Sequence, residues 1–148
     1  HTRCSRDWSS DVCSSDLPGI YGATDLAGIE RSVRARAAEL KAEIDFRQTN
    51  HEGQLVDWIH AARGHFNVIV LNAGAYTHTS IALHDCIKAM PYPVVEVHLS
   101  NIHARETFRH VSKLGPAVRA SVAGFGWRSY TAALSTLVEQ SREVLGAP

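Results

Sequence analysis

The chain has 148 residues, of which 45% are hydrophobic and 20% charged, a composition typical of a soluble globular domain. The charges of its 15 basic and 15 acidic side chains cancel. We therefore expect no extended positive electrostatic potential that would attract nucleic acid or an anionic membrane. The apolar runs are too short to cross a bilayer, and the N-terminus lacks the continuous apolar core of a signal peptide.

Residues 1–17 do not resemble the rest of the chain. They contain two of the three cysteines and several serines, and they show no helical or strand periodicity. The part from Asp7 to Leu17 also matches the translation of a sequencing adapter. We therefore interpret residues 1–17 as a non-native segment, with a natural disordered tail as the alternative, and assign residues 18–148 to one domain.

From residue 18 onward, helical and strand patterns alternate. The predicted helices cover residues 25–41 after a cap at Thr24, a second stretch from a cap at Asn50 to near Gly64, residues 79–89 and residues 127–144. The predicted strands cover residues 44–48, 68–71, 94–97 and 120–123. Strict alternation of this kind requires parallel strands joined by helical crossovers, so the sequence predicts an α/β fold.

Polar clusters follow two of the predicted strands, at the point where each strand ends. Residues 68–71 lead into Asn72 and His78, and residues 94–97 lead into His98 and Ser100. Strands that are apolar on both faces are typical of buried parallel sheets, which bind ligands outside the carboxyl ends of their strands. We therefore expect both clusters to line one pocket.

Arginines follow the second cluster, and together these side chains favour a particular kind of ligand. Arg105 and Arg109 can bind a carboxylate, while amide, hydroxyl and imidazole groups can bind hydroxyls. The sequence therefore predicts a small, polyhydroxylated, anionic ligand.

The cysteines and histidines do not have the spacing of metal ligands. Cys4, Cys13 and Cys86 form no paired framework, and the nine histidines include no i, i+4 pair with an acidic partner. We expect no metal and a reducing, cytoplasmic environment.

Several motifs in order resemble one enzyme family over about residues 18–144. They are IYGATDL, QTNHEGQLVDWIHAA, LNAGAYTHTSIALHD and VEVHLSNIHARETFRH, and they resemble the type II 3-dehydroquinate dehydratases. The resemblance implies a flavodoxin-like three-layer sandwich and trimers that assemble into a dodecamer. It also implies an enzyme without a cofactor that removes water from 3-dehydroquinate to give 3-dehydroshikimate, in the shikimate or quinate pathway.

The resemblance assigns the catalytic groups of an anti elimination through an enolate. Tyr21 corresponds to the base that removes a proton from C2, and Arg105 to the cation that makes its phenolate accessible. An ordinary phenol has a pKa near ~10, so it needs such a neighbour at neutral pH. His98 corresponds to the general acid that protonates the departing C1 hydroxyl, and Glu96, on the same strand face, would orient it and keep it protonated.

The resemblance also assigns groups that bind the substrate. Hydroxyls and the carboxylate of the substrate would be held through side chains and backbone amides of Asn72, His78, Leu99 and Ser100, and Arg109 would bind a ring hydroxyl. Asp85 corresponds to a residue that reaches the site of a neighbouring subunit.

The chain departs from the family at its N-terminus. The family begins with a strand that ends in an Asn-Gly-Pro-Asn loop, which residues 1–17 do not contain, and its lid arginine is replaced by Asp16. We therefore expect the first strand to be missing or replaced and turnover to be impaired.

Three other functions compete with this interpretation. The first is a catalytically silent ligand-binding or assembly subunit of the same fold. A flavodoxin-like electron carrier is disfavoured because no Ser/Thr-Gly phosphate loop precedes the first helix. A type I dehydratase would need a Schiff-base lysine at a strand end, where none of the three lysines is expected.

Overall fold

A computed structural model of the chain describes residues 25–146. Four α-helices and three strands occur along them in the order α1 (Leu26–Glu39), α2 (Glu52–Ala61), β1 (Ile69–Leu71), α3 (Ile81–Lys88), β2 (Val94–His98), β3 (Ala120–Ala123) and α4 (Arg128–Leu145). No α-helix separates β2 from β3 in this described part of the chain. Short 3-10 helices at Gly74–His78, Ile102–Ala104 and Thr107–Arg109 lie in the loops after β1 and β2.

The three strands form a parallel sheet in the order β1-β2-β3. Leu71 lies opposite Glu96 in the pairing of β1 with β2, and His98 lies opposite Ala123 in the pairing of β2 with β3. All five residues of β2 are buried. The carboxyl ends of β1 and β2 therefore lie side by side, as the sequence predicted.

Helices cover both faces of the sheet because β2 is apolar on both sides. Val94 packs into a cluster with Leu55 of α2 and Leu83 of α3. Val95 packs on the opposite face with Leu137 of α4. Since alternate residues of a strand point to opposite faces, Glu96 and His98 share the face of Val94. The predicted α/β architecture, a sheet between two helical layers, is confirmed.

The strand predicted at residues 44–48 is not observed, although its side chains alternate as expected. Ile44 and Phe46 are half-buried against the cluster of α1 and α4, while Asp45 and Arg47 are exposed. A strand needs a neighbour that completes its ladder, and the described residues offer none beside this segment. The alternation identified a buried face correctly, but alternation alone does not supply a pairing partner.

The predicted caps of the first two helices also differ from the structure. Asp25 is the N-cap of α1, and its side chain accepts a hydrogen bond from the Gly28 amide at 2.8 Å. Its carboxylate reaches the third amide of the helix from directly before Leu26, so the cap is one residue later than predicted. His51, not Asn50, is the N-cap of α2, and it makes no side-chain cap bond.

The closing helix α4, predicted over residues 127–144, covers Arg128–Leu145 and ends at a glycine. Gly146 follows α4 with a φ of 63°, and its amide bonds to the carbonyls of the last turn. Left-handed backbone of this kind is the usual conformation for glycine just after a helix. Within residues 25–146, no helix is both long enough and apolar enough to cross a membrane.

Candidate active site

A buried acid–imidazole pair lies on β2, near the carboxyl end of the sheet. Nε2 of His98 is 2.8 Å from Oε1 of Glu96, and the two side chains are only 2% and 1% exposed. An ionised carboxylate only accepts hydrogen bonds, so Nε2 carries a hydrogen and the second proton of an imidazolium resides on Nδ1. The pair can therefore store a proton away from solvent and present it at the edge of the sheet.

Three hydroxyl groups that were not among the predicted site residues also contact the Glu96 carboxylate. Thr77 donates to Oε1, Ser112 lies 3.2 and 3.1 Å from the two carboxylate oxygens, and Ser121 donates to Oε2 at 3.2 Å. The only sequence signal for them was the carboxylate itself. A glutamate inside a buried strand needs donors, and nearby Ser and Thr are the natural candidates.

These contacts decide the charge of Glu96. Burial raises the pKa of its carboxyl, but hydrogen bonds from His98 and Thr77, the charge of His98 and a hydrogen bond from Ser112 outweigh burial and hold that pKa below its ordinary value. Glu96 is therefore an anion at neutral pH, as a partner that favours a protonated imidazole must be.

The residues after β1 are fixed by contacts within the chain. The Asn72 side chain donates to the Tyr130 hydroxyl at 2.8 Å and accepts from the Gly74 amide at 2.9 Å. Nδ1 of His78 is 2.7 Å from the Val111 carbonyl oxygen. Both predicted substrate contacts lie in the loop that follows β1, beside the end of β2, and their orientation is set before any ligand binds.

The residues after β2 begin the second predicted cluster. Leu99 and Ser100 are buried, and the Leu99 carbonyl accepts from the Gly126 amide at 2.9 Å. Arg105 reaches back over this turn, since its Nη1 lies 3.4 Å from the Ser100 hydroxyl. The Arg105 side chain, only 14% exposed, is therefore held against the loop that carries the substrate-binding candidates.

Glu106 lies between the two predicted arginines, and the sequence reasoning missed it. Its Oε2 is 2.8 Å from Nε of Arg109 and 3.6 Å from Nε of Arg105. A hydrogen bond from its own backbone amide, and then the bond from Arg109, hold the pKa of this carboxyl below its ordinary value. A carboxylate between arginines spaced four apart in sequence orients both guanidinium groups.

The loops after β1 and β2 meet each other. The 3-10 helix Thr107–Arg109, which carries one predicted arginine, contacts both other 3-10 helices. One of these, Gly74–His78, follows β1 and carries His78. The polar clusters that follow the two strands are therefore brought together.

One further predicted site residue lies on a helix, and another falls outside the part of the chain that the structure describes. Asp85 is exposed on α3. Tyr21, the expected base, lies outside the described residues, and its catalytic role stays a prediction. Among residues 25–146, no group of three or more His, Cys, Asp or Glu side chains could hold a metal ion.

A depression of about 290 Å³ lies at the opposite end of the sheet. Val94, the first residue of β2, contributes to its lining, together with Tyr92 and Arg119. Since His98 lies at the other end of the same strand, this depression is separate from the acid–imidazole pair, and the chemistry of the buried pair identifies the candidate active site.

A parallel α/β sheet with an imidazole paired to a buried carboxylate at its carboxyl edge, and with arginines beside it, is suited to acid–base chemistry on a small anionic molecule. The family model "Dehydroquinase class II" matches residues 12–138. The chain belongs to this family. The match begins within residues 1–17, so the domain boundary predicted after residue 17 remains a prediction.

Curated relatives and solved structures are similar to the chain over most of its length. The 3-dehydroquinate dehydratase of Chelativorans sp. is 59% identical over 121 residues, which are 81% of this chain and 83% of that protein. The 3-dehydroquinate dehydratase of Rhizobium johnstonii is 55% identical over 120 residues, with the same shares covered. The type II dehydroquinase structure from Propionibacterium acnes has a TM-score of 0.79 at 37% identity and covers 82% of this chain and 84% of that one. The fold is therefore the flavodoxin-like fold that the motifs implied.

Proposed function

We propose that this chain is a hydro-lyase that removes water from 3-dehydroquinate to give 3-dehydroshikimate, as its family membership indicates. The observation that carries the proposal is the buried pair of His98 and Glu96, which lies where the paired strands β1 and β2 end. The pair falls within the matched residues 12–138. No cofactor is assigned to the reaction, since proton transfers alone complete it.

The elimination requires a base and an acid on opposite sides of the substrate ring. In the proposed mechanism, the Tyr21 phenolate takes the proton from C2, and the electron pair of that bond moves into an enolate. Collapse of the enolate expels the C1 hydroxyl, which takes a proton from His98 and leaves as water. Glu96 stays ionised throughout and stabilises the imidazolium before the transfer.

Arg105 is proposed to make the phenolate of Tyr21 accessible. A guanidinium beside a phenol favours its charged form because opposite charges attract more strongly in a partly buried site. The contact of Arg105 with Ser100 supports this assignment, since it holds the guanidinium beside the carboxyl end of β2.

The substrate contacts are proposed from the polar groups that meet at this edge of the sheet. Arginine donors suit carboxylate and hydroxyl oxygens, and backbone amides suit the same acceptors. We assign substrate hydroxyls and the carboxylate to Asn72, His78, Ser100, Arg109 and the backbone of Leu99. Asp85 is assigned to the site of a neighbouring subunit, which its exposed position on α3 supports.

The assembly and location of the chain are part of the same proposal. A residue that completes a neighbour's site requires subunits in contact, so we propose trimers that assemble further into a dodecamer. The balance of 15 basic and 15 acidic side chains and the buried thiol of Cys86 support a cytoplasmic protein without nucleic-acid or membrane partners.

Residues 1–17 are proposed to be non-native and to reduce activity. They contain neither the Asn-Gly-Pro-Asn loop nor the lid arginine of the family. The loop asparagine positions the water that stabilises the enolate, so its loss removes one contributor to catalysis.

The proposal is tested by adding 3-dehydroquinate to the purified chain and following the ultraviolet absorbance of the conjugated enone. We expect a slow rise in absorbance that disappears when His98 is replaced by Gln. A chain that binds 3-dehydroquinate in calorimetry without forming enone, even after the family's N-terminal segment has been restored, would be a silent binding subunit.

A further inference from the structure

The carboxylate of Glu96 accepts hydrogen bonds from several donors in addition to His98. Thr77, Ser112 and Ser121 contact it from three different segments of the chain, and His98 completes the set. An ionised carboxylate offers about four acceptor positions. All of them are occupied, so the anion is solvated by the protein in place of water.

The hydroxyl of Ser112 has a fixed direction. Its oxygen accepts hydrogen bonds from the amides of Leu114 at 3.1 Å and Gly115 at 2.8 Å. A hydroxyl oxygen has two lone pairs, and both are thereby used. The single hydroxyl hydrogen of Ser112 can therefore point only outward, to the Glu96 carboxylate or to the Thr77 oxygen 2.7 Å away. Since Ser112 cannot accept from Thr77, the Thr77 hydroxyl donates to Glu96.

The loop that carries Ser112 is attached to the segment that carries Thr77. The Lys113 amide donates to the Thr77 carbonyl at 2.6 Å, and the Val111 carbonyl lies 2.7 Å from Nδ1 of His78. These two contacts flank Ser112 on both sides. They place the two hydroxyls together at the carboxylate, so the donors form one unit with the loop that carries the candidate substrate residues.

We propose that Thr77 and Ser112 are positioning residues that hold Glu96 as an oriented anion facing His98. This inference rests on the proposed function, in which Glu96 acts on substrate only through the imidazole. Burial without these donors would favour the neutral carboxyl, and a neutral carboxyl would no longer stabilise the imidazolium. Among the described residues, His98 is the titratable group whose charge acts on Glu96.

The test uses the full chain with ¹³C-labelled glutamate and follows the carboxyl carbon of Glu96 by NMR as the pH is lowered. The Glu96→Gln variant identifies the signal. Thr77→Val removes the hydroxyl at nearly constant volume, and Thr77→Ser is the matched control that keeps it. Ser112→Ala is a second, independent deletion, and a thermal melt at neutral pH verifies that each variant is folded.

In the wild-type chain, we expect Glu96 to stay ionised as the pH falls to its ordinary pKa of 4.5. The midpoint should rise by about one pH unit in Thr77→Val and in Ser112→Ala, because each loses a donor to a buried anion. Thr77→Ser should stay within roughly 0.3 units of the wild type.

An unchanged Glu96 midpoint in both deletion variants would overturn the inference. An equal shift in Thr77→Ser and Thr77→Val would also overturn it, because packing and not the hydroxyl would then set the charge. The titration needs no substrate, so it distinguishes failure of this inference from failure of the proposed reaction, which turnover of the His98 variant tests.

Discussion

Nε2 of His98 lies 2.8 Å from Oε1 of Glu96, inside the sheet and almost entirely away from solvent. The two residues are two positions apart on β2, so the alternation of a strand places both side chains on one face. His98, the last residue of β2, thus carries the imidazole, and Glu96, two positions earlier in the strand, carries the negative charge. This arrangement leads to specific expectations for stability and turnover.

Replacing Glu96 by Gln should change how stability depends on pH. The folded-state pKa of Glu96 lies below its ordinary value of 4.5, so its stabilising contribution is present above that pH and is lost as the pH falls through the folded pKa. The variant should lack this part of the acid-side slope. It should also lose roughly 1–3 kcal/mol at neutral pH, because an amide cannot accept from all four donors. Urea unfolding between about pH 3.5 and 7 measures both effects, and identical slopes for the two proteins would contradict the expectation.

Replacing Tyr21 by Phe should remove the base while leaving substrate binding intact. Loss of a positioned acid–base group typically lowers the rate by about 10²–10⁴-fold, so kcat should fall within that range. The dissociation constant for 3-dehydroquinate should change by less than about threefold, since only a hydroxyl is lost. Steady-state kinetics and calorimetry check the two values. Retention of wild-type kcat would assign the base to another residue.

Borohydride with 3-dehydroquinate should give no covalent adduct. A Schiff-base mechanism needs a lysine whose pKa is lowered by desolvation or by a neighbouring cation. The three lysines of the chain, Lys41, Lys88 and Lys113, are all exposed. Mass spectrometry after reduction should therefore find unmodified protein. A mass increase equal to that of the reduced substrate would show a covalent lysine adduct. That result would contradict the enolate mechanism and favour one through an iminium ion.

Replacing residues 1–17 by the corresponding segment of the Chelativorans relative should raise both turnover and stability. By its resemblance to the family, we expect this segment to supply the loop asparagine, the lid arginine and a ladder partner for residues 44–48. Each buried backbone group that gains a partner contributes roughly 1–3 kcal/mol. We expect at least about a tenfold gain in kcat/KM, together with a higher midpoint of thermal unfolding. Equal values for the two proteins would show that residues 1–17 do not impair the enzyme.

The sequence predicted that Glu96 and His98 share one face of β2 because local periodicity determines that placement. Apolar β2 had to be buried, so Glu96 and His98 had to share a face at its carboxyl end. The motifs then assigned roles that the strand pattern alone left open. Parallel pairing of β1 with β2 brought Asn72 to the same edge, which the alternation of helices and strands had also predicted.

The parts that sequence reasoning missed depend on contacts between distant segments. Ser112 reaches Glu96 from a loop beyond two 3-10 helices, and no spacing rule connects the two positions. Ile44 and Phe46 alternate like a strand, yet a ladder requires a partner that this segment's own pattern cannot specify. Glu106 was overlooked because a charged residue between arginines is equally typical of a solvated surface.

The most direct test of the proposed reaction is the turnover of His98→Gln in the chain whose N-terminal segment has been restored. Gln keeps a donor to Glu96 but cannot deliver a proton, so enone formation from 3-dehydroquinate should fall by about 10²–10⁴-fold while binding persists. A His98→Gln protein that forms the enone at the rate of its His98 parent would contradict the assignment of the general acid and, with it, the site described above.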